Sequence, residues 1–244
     1  MRPRVDVLGV GFDRVRASEA VELVVGRLAG GQRSFVVTAN PEFVMLARRE
    51  PDVAAIARSA DLVVADGTGV LVASRLLGDP LPGRVPGRVL VDALMERLVP
   101  LGSRVFLLGA GPGVAERAAS RLQARHPGLR VSGAAAGSPH PADDERTRAR
   151  VAAAAPAVLL VAYGMPKQER WIARNVPALP SVRLAVGVGG VFDQVAGIAT
   201  VAPPLVHRAG LEWLWRLARE PRRWRRQRVL PLFVLLVLLR RARR

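Results

Sequence analysis

Several short stretches place polar or acidic side chains where a ligand would be handled. In VVTANPEF, Thr38 and Asn40 leave an apolar run just before Pro41. Asn-Pro punctuates a turn, and either side chain is suited to capping the helix that follows. A hydroxyl and an amide at such a point also suit a sugar or a phosphate. In LVVADGTGV, Asp66 directly follows an apolar run and precedes Gly67 and Gly69. A carboxylate there is either a helix cap or a general base, and the glycines let backbone N–H groups come close to a ligand. In LLVAYGMPKQERWIA, the protein's one lysine, Lys167, stands beside Gln168 and Glu169 behind a Gly164-Met165-Pro166 turn. Cation, amide and carboxylate together fit a clamp for uridine and a diphosphate. As a solvated first helical turn, the same residues place Glu169 where the helix dipole favours it.

Glycine-rich turns supply the rest. LAVGVGGVFDQVAG carries Gly187, Gly189 and Gly190 ahead of Phe192 and Asp193. That density predicts backbone approaching a ligand or another strand. VFLLGAGPGVAERAA begins like a dinucleotide fingerprint at Gly109 and Gly111, but Val114 holds the place of the third glycine. It therefore predicts no dinucleotide site, only a helix N-terminus able to face an anion. No metal is expected, because His126, His140 and His207 are scattered without ligand spacing. Asp143, Asp144 and Glu145 follow prolines at a helix start, where acids oppose the dipole. With no cysteine, the chain has no disulfide, thiolate ligand or thiol nucleophile.

These stretches need a frame that presents strand ends together. Strands are expected at Val5–Val10, Ser34–Thr38, Leu62–Ala65, Arg104–Gly109, Leu129–Gly133, Ala157–Ala162 and Arg183–Val188. Helical periodicity lies between several of them, at Val114–Arg125 and Asp143–Ala154 for example. Alternation of this kind predicts an α/β fold, a Rossmann-like and largely parallel sheet flanked by helices. Open parallel sheets bind ligands beyond the carboxyl ends of their strands, which is where the polar stretches fall. Pro203-Pro204 divides the chain into an α/β core, residues 1–202, and a helical, membrane-associating appendage, residues 203–244.

Charge separates the two parts. The formal net charge is +17, and from Pro204 to Arg244 twelve arginines face only Glu212 and Glu220, so +10 lies in that end. Such an end points to an anionic surface. It also holds Val229–Leu239, eleven apolar residues between arginines, too few for a helix to span a bilayer, which takes roughly 20. A shallow membrane-contacting foot is the expectation. Asp6 and Asp13 interrupt any apolar leader near the N-terminus, which predicts a cytoplasmic protein held peripherally at the inner face of the cell membrane.

Taken together, Thr38-x-Asn40-Pro41-Glu42-Phe43, Asp66-Gly67, Arg84-Val85-x-Gly87, Gly164-x-Pro166-Lys167-Gln168-Glu169, Gly187-Val188-Gly189-Gly190-x-Phe192-Asp193-x-x-x-Gly197 and Gly210-Leu211-Glu212-Trp213-Leu214 resemble the WecG/TagA/CpsF glycosyltransferases in order and spacing. The resemblance implies inverting transfer of an N-acetylmannosamine-type sugar from a UDP donor to a polyprenyl-diphosphate-linked N-acetylglucosamine. Such transfers build teichoic acid linkage units, common antigen or capsule. It makes Asp66 the general base, with Arg84 and Gln168 stabilising or holding the donor. Thr38 and Asn40 match the family's pocket residues, and Gly67, Lys167, Glu169, Gly189, Gly190 and Asp193 join them as substrate-binding candidates from their own places in these motifs. The resemblance assigns Arg216, Arg222 and Arg225, with Arg223 and Arg226 as near alternatives, to the acceptor's diphosphate at the membrane, and it implies no metal or other cofactor. Arg88-Val89 departs from the family's usual polar residue and Asp, and Thr200-Val201 lacks the usual basic residue before Ala-Pro.

Other classes remain on the residues alone. The basic end with Trp224 suits a non-catalytic nucleic-acid or membrane-surface protein, although the apolar run argues against nucleic acid as partner. An appendage that completes a site could also couple activity to assembly of a homo-oligomer.

Overall fold

In the computed structural model, residues 3–200, 202–203, 205–206, 212–219, 221 and 224–243 are described, without the side chains of Glu212 and Arg216. The centre is a six-stranded, wholly parallel sheet in the order β4-β3-β8-β7-β5-β6. Its strands are β3 (Ser34–Ala39), β4 (Leu62–Ala65), β5 (Val105–Gly109), β6 (Val131–Ala135), β7 (Val158–Ala162) and β8 (Leu184–Gly187). β4, β5, β7 and β8 have no exposed residue. That explains their unbroken apolar runs, since a parallel sheet is covered on both faces.

Alternate residues divide between two layers. Val36, Val64, Leu107, Leu160 and Val186 face α1 (Ala17–Ala29), α5 (Gly87–Leu98), α6 (Val114–Arg125) and α9 (Val191–Val195) in one core. On the opposite face Val37, Ala39, Val63 and Ala65 pack with α2 (Pro41–Arg49), α3 (Pro51–Ser59) and α4 (Thr68–Leu76). Beside them Phe106, Leu108, Leu159 and Val161 pack with α7 (Asp144–Ala154) and α8 (Lys167–Asn175).

The expected strand Val5–Val10 is instead a hairpin, β1 (Arg4–Val7) and β2 (Val10–Asp13), forming a separate antiparallel sheet. Its two-residue turn has positive φ at both Leu8 (52°) and Gly9 (95°), the geometry that matches strand twist. Leucine at the first of these positions hides the turn in the sequence, and burial of its side chain compensates for the unusual backbone. The hairpin guards the sheet edge at β4. Buried Asp13 accepts from the Val63 N–H at 2.7 Å and pairs with Arg4 at 3.2 Å. β6 starts two residues later than expected, and the ring of Phe106 occupies the space a side chain at Gly133 would need.

Three more helices follow in the described C-terminal residues: α10 (Glu212–Arg219), α11 (Trp224–Gln227) and α12 (Leu230–Ala242). α12 lies on α4 and α2 and inserts Phe233 and Val237 into their core. Arg240 pairs with Asp6 of β1 at 2.7 Å. No described helix is long and apolar enough to cross a membrane.

Candidate active site

One cleft, of about 1050 Å3, opens at the carboxyl ends of β3, β4, β7 and β8. Each strand delivers its residues by a different local device. After β3, Asn40 caps α2 by accepting from the Phe43 N–H at 2.9 Å, with Pro41 in the first helical turn. Asn40 therefore caps a helix and lines the cleft at once. Thr38 also lines it, and its hydroxyl donates to the Gly187 carbonyl at 2.9 Å, tying β3 to β8.

After β4, the Asp66 N–H donates to the Ala39 carbonyl at 2.8 Å, so the acid is set by the neighbouring strand. Gly67 then takes φ +107°, a conformation other residues avoid. Gly69 is required on different grounds. A methyl at its Cα would lie 2.6 Å from Pro41 Cγ, so glycine lets the N-termini of α2 and α4 meet around the cleft. The Val85 N–H donates to the Ala65 carbonyl at 2.8 Å, which places Arg84 beside the end of the strand that carries Asp66.

After β7, the chain turns at Gly164-Met165-Pro166 and enters α8. Gln168 is buried and held at both ends. Its Oε1 accepts from the Gly189 N–H at 2.9 Å, and its Nε2 donates to Glu169 Oε1 at 2.7 Å. Since the backbone N–H can only donate, the orientation of the amide is fixed. Glu169 is fully buried, and desolvation pushes its carboxyl up to about 7. A methyl on Gly187 would lie 2.7 Å from Gln168 Nε2 and 3.1 Å from Glu169 Oε1. The glycine after β8 thus makes room for this pair.

Thr38, Asn40, Asp66, Gly67, Gln168, Gly189 and Gly190 all line the cleft. Lys167 is exposed outside it. Glu169 stands behind Gln168 rather than in the cleft, and Asp193 sits behind Gly190 at the start of α9. Arg84 and Arg225 are also outside the lining set, and Arg225 is exposed. The Arg216 side chain and all of Arg222 lie outside the described residues. Arg226 and Arg228 line the cleft, with Trp213, Trp224 and residues of α12. So do Arg88 and Val89, which places the departure from the family pattern in the cleft wall. The turn at Gly109 contributes nothing there. A methyl on Gly109 would lie 2.7 Å from the Ala162 backbone, so this glycine serves the approach of β5 to β7.

Residues 5–244 match the Glycosyl transferase WecG/TagA/CpsF family. The chain belongs to that family. It is 36% identical over 205 residues to an N-acetylglucosaminyldiphosphoundecaprenol N-acetyl-beta-D-mannosaminyltransferase of Bacillus spizizenii, covering 84% of this chain and 79% of the relative. It is 34% identical over 233 residues to the protein of the same name from Staphylococcus aureus, covering 95% and 91%. A substrate-binding periplasmic protein from Ralstonia solanacearum covers 76% of this chain and 54% of its own, at 18% identity and a TM-score of 0.35. That likeness is too slight to inform fold or function. Family membership makes the protein a glycosyltransferase and favours catalysis over the nucleic-acid reading.

Proposed function

We propose that this glycosyltransferase moves N-acetylmannosamine from UDP to N-acetylglucosamine carried on a polyprenyl diphosphate, the reaction its relatives are named for. The observation that carries the proposal is the position of Asp66. It leaves β4 at the cleft floor, facing a wall built from Thr38, Asn40, Gln168 and glycine backbone.

Asp66 takes the proton of the acceptor hydroxyl as that oxygen attacks the anomeric carbon. The bond from this carbon to the diphosphate oxygen breaks, and its electron pair leaves with UDP. One displacement inverts the configuration. Arg88, which lines the cleft, is the cation placed to offset the charge growing on the departing diphosphate, whereas Arg84, expected in that role, stands outside the lining beside the end of β4. The clamped Gln168 amide keeps one N–H for the donor. Glu169 is a positioning residue that acts through Gln168. The proposed steps are carried by the chain's own side chains, with no metal invoked at the diphosphate.

The acceptor is a membrane lipid in this reading, so the protein works peripherally at the inner face. The arginines of residues 203–244 and the apolar outer surface of α12 meet an anionic bilayer there. Leu232, Leu235, Leu238 and Leu239 are exposed on that helix.

Asp66→Asn tests the assignment. Turnover should fall about 100- to 10,000-fold, the usual reach of a general base, while calorimetric UDP binding stays near wild type. Near-normal turnover in this variant would remove Asp66 as the base.

A further inference from the structure

The cleft changes character along its length. Its volume is at or above the upper end of small-molecule pockets, which run to about 1,000 Å3. One wall follows a single face of α4. Thr68 and Gly69 lie next to Asp66, and Val72, Ala73 and Leu76 carry the wall onward. At 1.5 Å per residue that face runs about 12 Å from Thr68 to Leu76. Across from it α12 contributes Leu230, Phe233, Val234 and Val237. Polar groups therefore crowd one end, whereas the far end is an aliphatic and aromatic trough between two helices.

The trough is open. Val72 is 50% exposed and Val234 is 52% exposed, although both line the same cleft as the buried Phe233 and Val237. Exposed aliphatic surface continuous with a polar site calls for an apolar ligand segment. Arg226 and Arg228, just ahead of α12, line this cleft as well. Carboxylate and amide groups, cations and an apolar trough in one cleft match a sugar, a diphosphate and a hydrocarbon chain in one ligand.

We propose that the trough between α4 and α12 binds the diphosphate-proximal isoprene units of the acceptor, so that the enzyme itself, and not only the bilayer, recognises the lipid. The proposal rests on the acceptor assignment made above. α12 then has two apolar faces with different tasks. Its inner flank holds the acceptor chain, and its outer leucines face the surrounding lipid. Transfer of the apolar chain from water into the trough supplies affinity in proportion to the area covered.

The test uses the full chain without vesicles or detergent. Two synthetic acceptors, N-acetylglucosamine diphosphate esterified with butyl or with farnesyl, are compared at saturating donor. Wild type should show a KM at least about tenfold lower for the farnesyl acceptor, as burial of several CH2 groups requires. In Val72→Asp and Val234→Asp, both at exposed positions and checked for an unchanged melting profile, that preference should collapse towards unity. Equal KM values in wild type would overturn the trough, and so would a farnesyl preference that survives both substitutions. Binding of farnesyl diphosphate alone, followed by calorimetry, separates this proposal from the acceptor assignment. If neither acceptor turns over but farnesyl diphosphate binds and Val72→Asp weakens it, the trough stands and the assignment falls. No binding and no turnover would overturn both.

Discussion

The floor and the roof of the cleft are built on opposite plans. The floor consists of strand ends fixed by backbone and buried side-chain hydrogen bonds: Asp66 to Ala39, Val85 to Ala65, Thr38 to Gly187, and Gln168 to Gly189. The roof consists of helices bearing exposed arginines and tryptophans, and among the described residues Phe233, Val237 and the Arg240–Asp6 pair fasten it. The difference follows from the tasks. Positioning a base and a donor needs groups that do not move, because displacements of about 1 Å can cost about 100-fold in rate. Meeting a long amphiphile at a membrane needs cations and apolar surface, which tolerate looser placement.

Forcing a floor contact apart should have the most severe effect. Gly187→Ala would put a methyl into the Gln168–Glu169 pair, and turnover should drop by about 100-fold. Vesicle binding, a property of the roof, should stay unchanged in co-sedimentation. Loss of vesicle binding in that variant would show that floor and roof are not separable.

Glu169 offers the next largest effect. Its carboxyl rises from 4.5 when unfolded to about 7 when folded. The folded state therefore binds the proton more tightly, and stability from this group is full below pH 4.5 and lost as pH rises to 7. Glu169→Gln removes the dependence. The stability difference should move in the variant's favour by about 3 kcal/mol between those pH values, as read by denaturant unfolding. Two substitutions at this one position test positioning. Glu169→Gln keeps an acceptor for Gln168 Nε2 and should retain most turnover, whereas Glu169→Leu should lose about tenfold in kcat with donor KM little changed. Equal activity in the two variants would reduce Glu169 to packing.

The roof should yield the smallest changes. Arg226→Ala and Arg228→Ala should each raise the acceptor KM by a few-fold, with kcat preserved and weaker dependence on ionic strength. A kcat loss comparable to that of Gly187→Ala would move these arginines to the floor.

How much of this was legible in the sequence follows the same division. The floor motifs could be read because each is a strand end followed by a turn, and chain order alone brings such ends to one edge of a parallel sheet. Leu62–Ala65 and Val114–Arg125 agree with the structure to the residue. Side-chain direction was less legible. Lys167, Gln168 and Glu169 are adjacent, yet one is exposed, one lines the cleft and one is sealed behind it. Helical phase separates them, and a three-residue motif does not fix it. In α11 Arg226 lines the cleft while its neighbour Arg225 stays outside, and Arg228 joins the lining from the turn after that helix. The hairpin at Leu8-Gly9 was hidden because its turn lacks the usual Asn-Gly or Asp-Gly, and the burial of Asp13 shows only once β4 has an edge to cover.

Sugar transfer itself is read from the mass of the product. The full chain is incubated with a panel of UDP-sugars and a lipid-linked N-acetylglucosamine diphosphate. UDP-N-acetylmannosamine should be the preferred donor, and the acceptor should gain one N-acetylhexosamine, joined with inversion. Preferential transfer from another UDP-sugar, or retention at the anomeric carbon, would contradict the proposed transfer.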